Sequence, residues 1–425
     1  MNKKNILVFP CGSEIGLEIH RSLKNSLHFN LIGGNSTDDH GKFVFNQYID
    51  DIPFISSPNF ISKLKEIVKI HHIDAIYPAM DAVITLLKEH EKELGCKVIA
   101  SSVETVNICL SKTKTYKTLK HIIDVPEIYP KEEIDRFPVF SKPDIGYGSR
   151  GAKLIKDKLM LQAHATEYPN NIFCSFLPGP EYTIDCFTDR YGKLRYFAPR
   201  LRKRIMNGIS VHTVPVPDTA AKFENIIRKI NDTISFQGAW FVQLKEDENG
   251  TLFLLEVAAR LGGSSSLFRN KGINFAMLTL FDAFGYDVEI IENQYYIELD
   301  RALNNRYKID ISYDEVFVDF DDCILLEKKY FNLDMMKFLF QCLNENIKIT
   351  LLSKHKDDLN EQLARLKIEG LFTRIIHLKQ NEQKSAYIDN PHAIFIDDSF
   401  AERKEVATKL GIPVFSLDML ECLLK

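Results

Sequence analysis

Along this chain, short runs of apolar residues alternate with longer stretches in which apolar positions recur every three or four residues. Ile6 to Phe9 is followed by the helix-like Ile15 to Leu23, and Ala75 to Pro78 by Ala82 to Leu94. Short buried strands linked through amphipathic helices predict a parallel sheet. From Phe137 the pattern changes. Runs at Thr183 to Phe187, Leu194 to Ala198, Ala239 to Leu244 and Leu252 to Val257 predict an antiparallel sheet with helices packed on it. A fresh strand, Val316 to Val318, opens a second set of βα units that runs to Lys425. The intervening Asn293 to Asp310, rich in tyrosine and charge and carrying Asn304-Asn305, marks a boundary.

Length agrees with several cores, since 425 residues at roughly 150 per domain is about three domains. The 45% hydrophobic and 26% charged content is that of a globular chain. Lysine and arginine number 54 against 58 acids, so no basic field is available for nucleic acid and small molecules are the expected partners. Met1 to Asn5 leads straight into Ile6 to Phe9, too short an apolar run for a signal peptide, and no run approaches the roughly 20 residues that span a bilayer. A cytoplasmic protein, away from membranes, is expected. The 8 cysteines show no Cys-x-x-Cys spacing, so neither a zinc knuckle nor a disulfide framework is suggested and reduced packing residues are expected.

The first chemistry-bearing stretch is 137–151, where Lys142 ends an apolar run and Gly146, Gly148, Ser149 and Gly151 follow. Bare backbone N–H groups and an ammonium can approach a phosphate together. The same stretch also reads as a Gly-rich hairpin with a solvated lysine. Downstream, Leu177-Pro-Gly-Pro-Glu181 and Glu256-Val-Ala258-Ala-Arg260 place acids and an arginine at strand ends, groups suited to ribose, magnesium and phosphate.

With these motifs, in this order and spacing, the chain from about Ile6 to Val288 resembles the ATP-grasp superfamily. The likeness is greatest to the carboxylate–amine ligases related to the large subunit of carbamoyl phosphate synthetase and to D-alanine–D-alanine ligase. The resemblance implies that Lys112 and Lys142 hold ATP phosphates and that Gly146 to Gly151 forms a mobile lid loop. It places Leu177 beside adenine, Glu181 on the ribose hydroxyls, Gln243 and Glu256 on Mg2+, and Arg260 against the transferring phosphoryl group. One position departs: Ala258 stands where the family has asparagine, so one metal ligand is missing. Gly12 and Gly16 do not fit a dinucleotide fingerprint. That region resembles the Rossmann-like pre-ATP-grasp domain, whose loops border the substrate cleft and include Asp81, which also reads as a plain helix cap. The basic run Arg200 to Arg204 reads as a solvated hairpin or, through Arg204, as a contact for an acidic substrate.

A second constellation begins at Asp319-Phe-Asp321, directly after the strand Val316 to Val318. One aspartate can attack phosphorus while the other serves as acid and base, with magnesium screening their repulsion. Ser353, Lys384 and Asp397-Asp398 follow at later strand ends, so all would meet at the carboxyl edge of one parallel sheet. This ordered set, from about Asp314 to Lys425, resembles the haloacid dehalogenase (HAD) superfamily of phosphatases. The resemblance implies Asp319 as nucleophile, Asp321 as general acid/base, Ser353 and Lys384 as phosphate binders, and Asp319, Asp321 and Asp397 around Mg2+. Cys323 replaces the usual threonine or valine. Short spacings leave little room for a cap domain.

The expected architecture is therefore α/β and α+β multidomain: a pre-ATP-grasp domain over 1–108, an ATP-grasp domain over 109–300 with its lid near 112–173, a linker at 301–313, and a capless HAD-like Rossmannoid domain over 314–425. The expected activity is ADP-forming amide ligation of a small carboxylate and an amine through an acyl phosphate, using ATP and Mg2+. The appended phosphatase would remove a phosphate ester from substrate or product. Two alternatives stand beside it. One is a phosphatase carried on a non-catalytic nucleotide-binding scaffold, which Ala258 motivates. The other is phosphoryl transfer to a non-carboxylate acceptor.

Overall fold

The computed structural model describes residues 3–146, 150–216, 220–303, 307 and 309–425. The chain forms two compact units, Met1–Leu303 and Asn304–Lys425. No helix among the described residues is long and apolar enough to cross a membrane.

The first unit opens with a five-stranded parallel sheet in the spatial order Tyr48–Ile49, Phe29–Gly34, Lys4–Phe9, Ala75–Pro78, Lys97–Val98. Its central strand is apolar on both sides, and Ile6, Leu7 and Val8 are fully buried because helices cover both faces. Ser13 caps the helix Glu14–Leu23 by accepting from Gly16 N at 3.0 Å. The stretch expected as one helix from Ala82 to Leu94 is two, Asp81–Glu89 and Glu91–Leu94. They part at His90, whose N–H reaches back to the carbonyls of Leu86 and Leu87 while the backbone leaves helical geometry.

A smaller antiparallel sheet follows, ordered Ile128–Tyr129, Asn171–Ser175, Val139–Pro143, Lys153–Ile155, with the helix Lys158–Glu167. The third sheet has six strands in the order Leu252–Ala258, Gly238–Glu246, Glu181–Thr188, Leu194–Met206, Ile209–Pro215, Leu299–Asp300. Strand alternation divides its residues between two faces. Ile184, Cys186, Trp240, Val242, Leu244 and Leu254 pack in one cluster with Phe223, Ile227 and Ile230 of the helix Ala220–Thr233. Trp240 stacks on Phe236 at 3.9 Å between ring centroids. The opposite face carries Glu181, Thr183, Asp185, Phe241 and Gln243. One core cluster runs from Ile6 and Val8 through Phe187 and Ala239 to Leu267, Phe275 and Leu280. The first and third sheets are thus joined through the helices Ser266–Arg269 and Phe275–Ala283, which is why residues 1–303 form one unit.

The second unit is built on a five-stranded parallel sheet ordered Arg374–His377, Lys348–Ser353, Glu315–Val318, Ala393–Ile396, Val414–Phe415. Chain order reverses direction beside Glu315–Val318, so a crevice is expected at the carboxyl ends of this strand and its neighbour Ala393–Ile396. Val316, Phe317 and Val318 are completely buried.

Candidate active sites

In the first unit a cavity of 610 Å³ lies over the polar face of the six-stranded sheet. Direct pairing puts Glu256 opposite Gln243, Gln243 opposite Thr183, and Thr183 opposite Arg200, a single row on one face. The next row of the same face pairs Lys245 with Glu181. Loops from the switch point of the first sheet supply Ser13, Glu14 and Asp81 to the same cavity, and the small sheet supplies Lys142 and Gly146. Most residues expected around ATP thus converge here: Lys112, Lys142, Gly146, Leu177, Glu181, Gln243, Glu256 and Arg260 all line it. Gly148 and Ser149 lie outside the described residues. Gly151, also expected at the loop, has φ of +70°, a conformation suited to glycine.

Lys142 is 7% exposed, and its Nζ donates to Tyr116 Oη at 2.5 Å and to Leu255 O at 3.4 Å. Burial holds its pKa below the usual lysine range, with the nearby Lys112 pushing the same way against Cys174 and Glu256. Its hydrogen-bond partners are a hydroxyl and a carbonyl, a poor counterweight for a buried ammonium and a good setting for a phosphate. Tyr116 was not anticipated. It sits one helical turn from Lys112, and that i, i+4 spacing is the only sequence signal that could have found it. Asp144 ties the glycine loop to the start of the same helix, accepting from Ser111 Oγ and Thr113 N, each at 2.7 Å. Burial would raise Asp144, but these hydrogen bonds outweigh it and the net shift is downward.

Glu181 is held by Arg202, which also donates to Gln243 Oε1 at 3.2 Å. Arg260 grips Asp81 with both arms at 2.8 and 2.9 Å, and its guanidinium lies 5.2 Å from the Phe241 ring. Burial alone would lower Arg260, but the charge of Asp81 outweighs it and the pKa rises. Asp81 is not the helix cap: Met80 holds that position without a side-chain capping bond, and Asp81, the first helical residue, holds Arg260 instead. Arg204 requires a correction: it is half exposed, pairs with Asp300 at 2.6 Å and does not line the cavity. Arg200 and Arg202 of the same basic run face inward instead.

The donor set suits Mg2+ and a nucleotide. An amide and a carboxylate oxygen face each other at Gln243 and Glu256, hard ligands of the kind magnesium prefers. Ala258 pairs with Phe241, so that neighbouring position offers no ligand atom.

Residues 167–304 match the family model described as ATP-grasp in the biosynthetic pathway with Ter operon. The first unit contains an ATP-grasp domain. Its fold is similar to biotin carboxylase from Campylobacter jejuni, solved with a β,γ-ATP ligand (TM-score 0.57, 18% identity, 69% of this chain and 74% of that one). It is similar to N5-carboxyaminoimidazole synthetase from Staphylococcus aureus complexed with ADP (0.58, 17%, 69% and 80%). It is also similar to L-amino acid ligase from Bacillus licheniformis (0.54, 16%, 68% and 75%). At such identities these likenesses speak for the ATP-grasp fold. No curated protein matches the chain by sequence.

The second unit gathers its own set. Asp319 follows the central strand, Ser353 ends the neighbouring one, and Asp397 follows Ala393–Ile396. Lys384 Nζ bridges Asp319 Oδ1 at 2.8 Å and Asp397 Oδ2 at 2.5 Å. Burial raises both carboxyls against the pull of Lys384, and Asp397 is pushed up to about 6. Burial would lower Lys384, but the two carboxylates win and raise it. Ser353 Oγ is buried beside Asp319 and pulls its pKa down against the effect of burial.

Ligand atoms of Asp319, Cys323 and Asp398 lie within 4.8 Å of one another. The expected metal set of Asp319, Asp321 and Asp397 is thus only partly assembled. Asp397 spends its oxygens on Lys384 and on Ser399 N, while Asp321 turns to His355 Nδ1 at 2.9 Å and lines a separate cavity of 300 Å³. Burial, reinforced by Asp319 and Asp397, raises the Cys323 thiol far above its usual range, so it stays protonated and its sulfur accepts from Asp398 N at 3.1 Å. One ammonium against Asp319, Asp397 and Asp398 leaves excess negative charge, and the hard oxygens of Asp319 and Asp398 fit Mg2+. His355 lay outside the sequence expectations.

Proposed function

We propose that the first unit is an ADP-forming ligase that transfers the γ-phosphoryl group of ATP to a small carboxylate and passes the acyl group to an amine. The observation that carries this reading is the convergence of Lys112, Lys142, Gln243, Glu256 and Arg260 on one cavity in the ATP-grasp fold. Biotin carboxylase, N5-carboxyaminoimidazole synthetase and L-amino acid ligase share that fold.

Lys142 and Lys112 would hold the phosphate chain, and Leu177 would pack against the adenine. Glu181 would exchange Arg202 for the ribose hydroxyls. Gln243 and Glu256 would hold Mg2+, which supplies charge neutralisation on the phosphates when bound. Arg260, kept at one angle by Asp81 and Phe241, would stabilise charge on the phosphoryl in flight. The carboxylate oxygen attacks γ-phosphorus as the bond to the β-phosphate oxygen breaks. The amine then displaces phosphate from the acyl carbon, losing its proton. The test is acid- and amine-dependent release of ADP and phosphate with the mass of the amide. Tight ATP binding without turnover favours the scaffold reading, for which Ala258 speaks.

For the second unit we propose a Mg2+-dependent phosphatase of HAD type, supported by the Asp319–Lys384–Asp397 centre beside the buried Ser353 hydroxyl. Asp319 would attack phosphorus, Asp321 would protonate the leaving oxygen, and Ser353 and Lys384 would hold the phosphate. A ligase fused to such a site suits a substrate or product bearing a phosphate ester.

A further inference from the structure

The ligase reading leaves one end of the large cavity without a role, the wall made by Arg200, Ser210, Gly262 and Ser264. Two buried polar atoms there have no partner among the described residues: Arg200 Nη1 and Ser210 Oγ, on side chains of residues 3% and 5% exposed. Asp185 occupies one edge of the Arg200 guanidinium, accepting from Nε at 2.6 Å and from Nη2 at 3.5 Å. Nη1 is left over. Buried donors are costly when unpaired, so such atoms on a cavity wall point to a ligand. Gly262 gives an independent indication. A Cβ there would stand 3.0 Å from Asp185 Oδ1 and 3.1 Å from Arg200 Nη2, so its bareness keeps the space over the ion pair open. Ser264 Oγ donates to Ser210 O at 2.9 Å and steadies the strand that presents the Ser210 hydroxyl.

We propose that Arg200, Ser210 and the bare face of Gly262 form a subsite for a carboxylate other than the one that takes phosphate. Its chemistry is monoanionic. Asp185 already offsets much of the Arg200 charge, and the free N–H edge of Arg200 suits a carboxylate, with the Ser210 hydroxyl a further unpaired donor in the lining of the same cavity. A phosphate dianion would meet Asp185 with charge to spare. The position is also separate from the reacting centre. Arg200 is two strands from Gln243 in the same row, about 10 Å at the usual strand spacing, so one carboxylate cannot occupy both. The group belongs either to a dicarboxylic acid activated at its other end or to an amino acid whose amine is the nucleophile. The inference rests on the ligase reading for that assignment, and on the two orphaned atoms for the binding itself.

Calorimetry on the full chain with ADP and Mg2+ separates the sources. In the acid arm glutarate is compared with butyrate; in the amine arm, alanine with ethylamine. In one arm the molecule with the extra carboxylate should bind at least tenfold tighter. Ser210→Ala and Arg200→Lys should each bring that ratio close to one while the affinity for ADP stays within twofold. Ser210→Ala removes an atom with no internal hydrogen bond, so its melting temperature should match the parent. Equal affinities within both arms, or a ratio that both variants leave unchanged, would overturn the subsite. Failure of the ligase reading shows elsewhere, as the absence of acid- and amine-dependent ADP release.

Discussion

Replacing Lys142 with Met keeps an unbranched side chain of similar volume, one atom shorter, and removes its charge. Two effects on the apo fold oppose each other. The 2.5 Å bond to Tyr116 Oη is lost, a charged hydrogen bond of about 1.5–3 kcal/mol, while the 3.4 Å contact to Leu255 O adds little. Against this, an ammonium that is 7% exposed, and whose pKa burial depresses, no longer has to be desolvated, an effect of several kcal/mol per ion. The apo protein should therefore melt no lower than the parent, and a gain of 1 kcal/mol would raise the transition of a unit this size by roughly 1.5 °C. Function should move the other way. Loss of a positioned charge beside the phosphoryl group should slow ADP formation by on the order of a hundredfold, about 2.7 kcal/mol. Scanning calorimetry with and without ATP and Mg2+, beside an ADP-release assay, reads both sides. A variant that melts well below the parent yet turns over ATP near-normally would show that Lys142 is a structural residue.

Glu256→Gln should lower ADP formation by about a hundredfold or more, because a neutral amide replaces an anionic metal ligand, while phosphate-ester hydrolysis by the second unit continues unchanged. Asp81→Asn should weaken the two-armed hold on Arg260 and lower kcat more than the KM for ATP, which steady-state kinetics resolves. Asp319→Asn should abolish phosphatase turnover and leave ligation intact. With a phosphorylated substrate, its ligated product should be heavier than the parent's by one phosphoryl group in a mass spectrum, and equal masses would return the second unit to a structural role. Chelation of magnesium should stop both activities, with restoration on adding it back.

Much of this was legible in the sequence because strands alternate and motifs keep their spacing. Glu181, Thr183 and Asp185 occupy one face of their strand as their period of two requires, and Gln243 meets Glu256 across the sheet. The same rule misled at Arg204. Unbroken alternation would place Arg200, Arg202 and Arg204 on one face, but the register shifts twice between Arg202 and Ile205 and turns Arg204 toward Asp300 at the surface. Pairing irregularities of this kind depend on the partner strand and leave no mark in the basic run itself. Adjacent Asp397 and Asp398 posed a related difficulty. Only the placement of Lys384, from a turn 13 positions earlier, decides which carboxylate is engaged and which remains beside Asp319. His355 bonds Asp321 from a loop 34 positions away, a contact made by packing alone.

Activation of a carboxylate by the first unit can be caught in the act by trapping the acyl phosphate with hydroxylamine. The full-length protein is incubated with ATP, Mg2+ and a panel of mono- and dicarboxylic acids, and ADP is measured alongside the hydroxamate. At least one acid should yield ADP and its hydroxamate in equal amounts, with neither formed by Glu256→Gln. ADP released without hydroxamate from any acid, or ATP bound tightly and never cleaved, would contradict it.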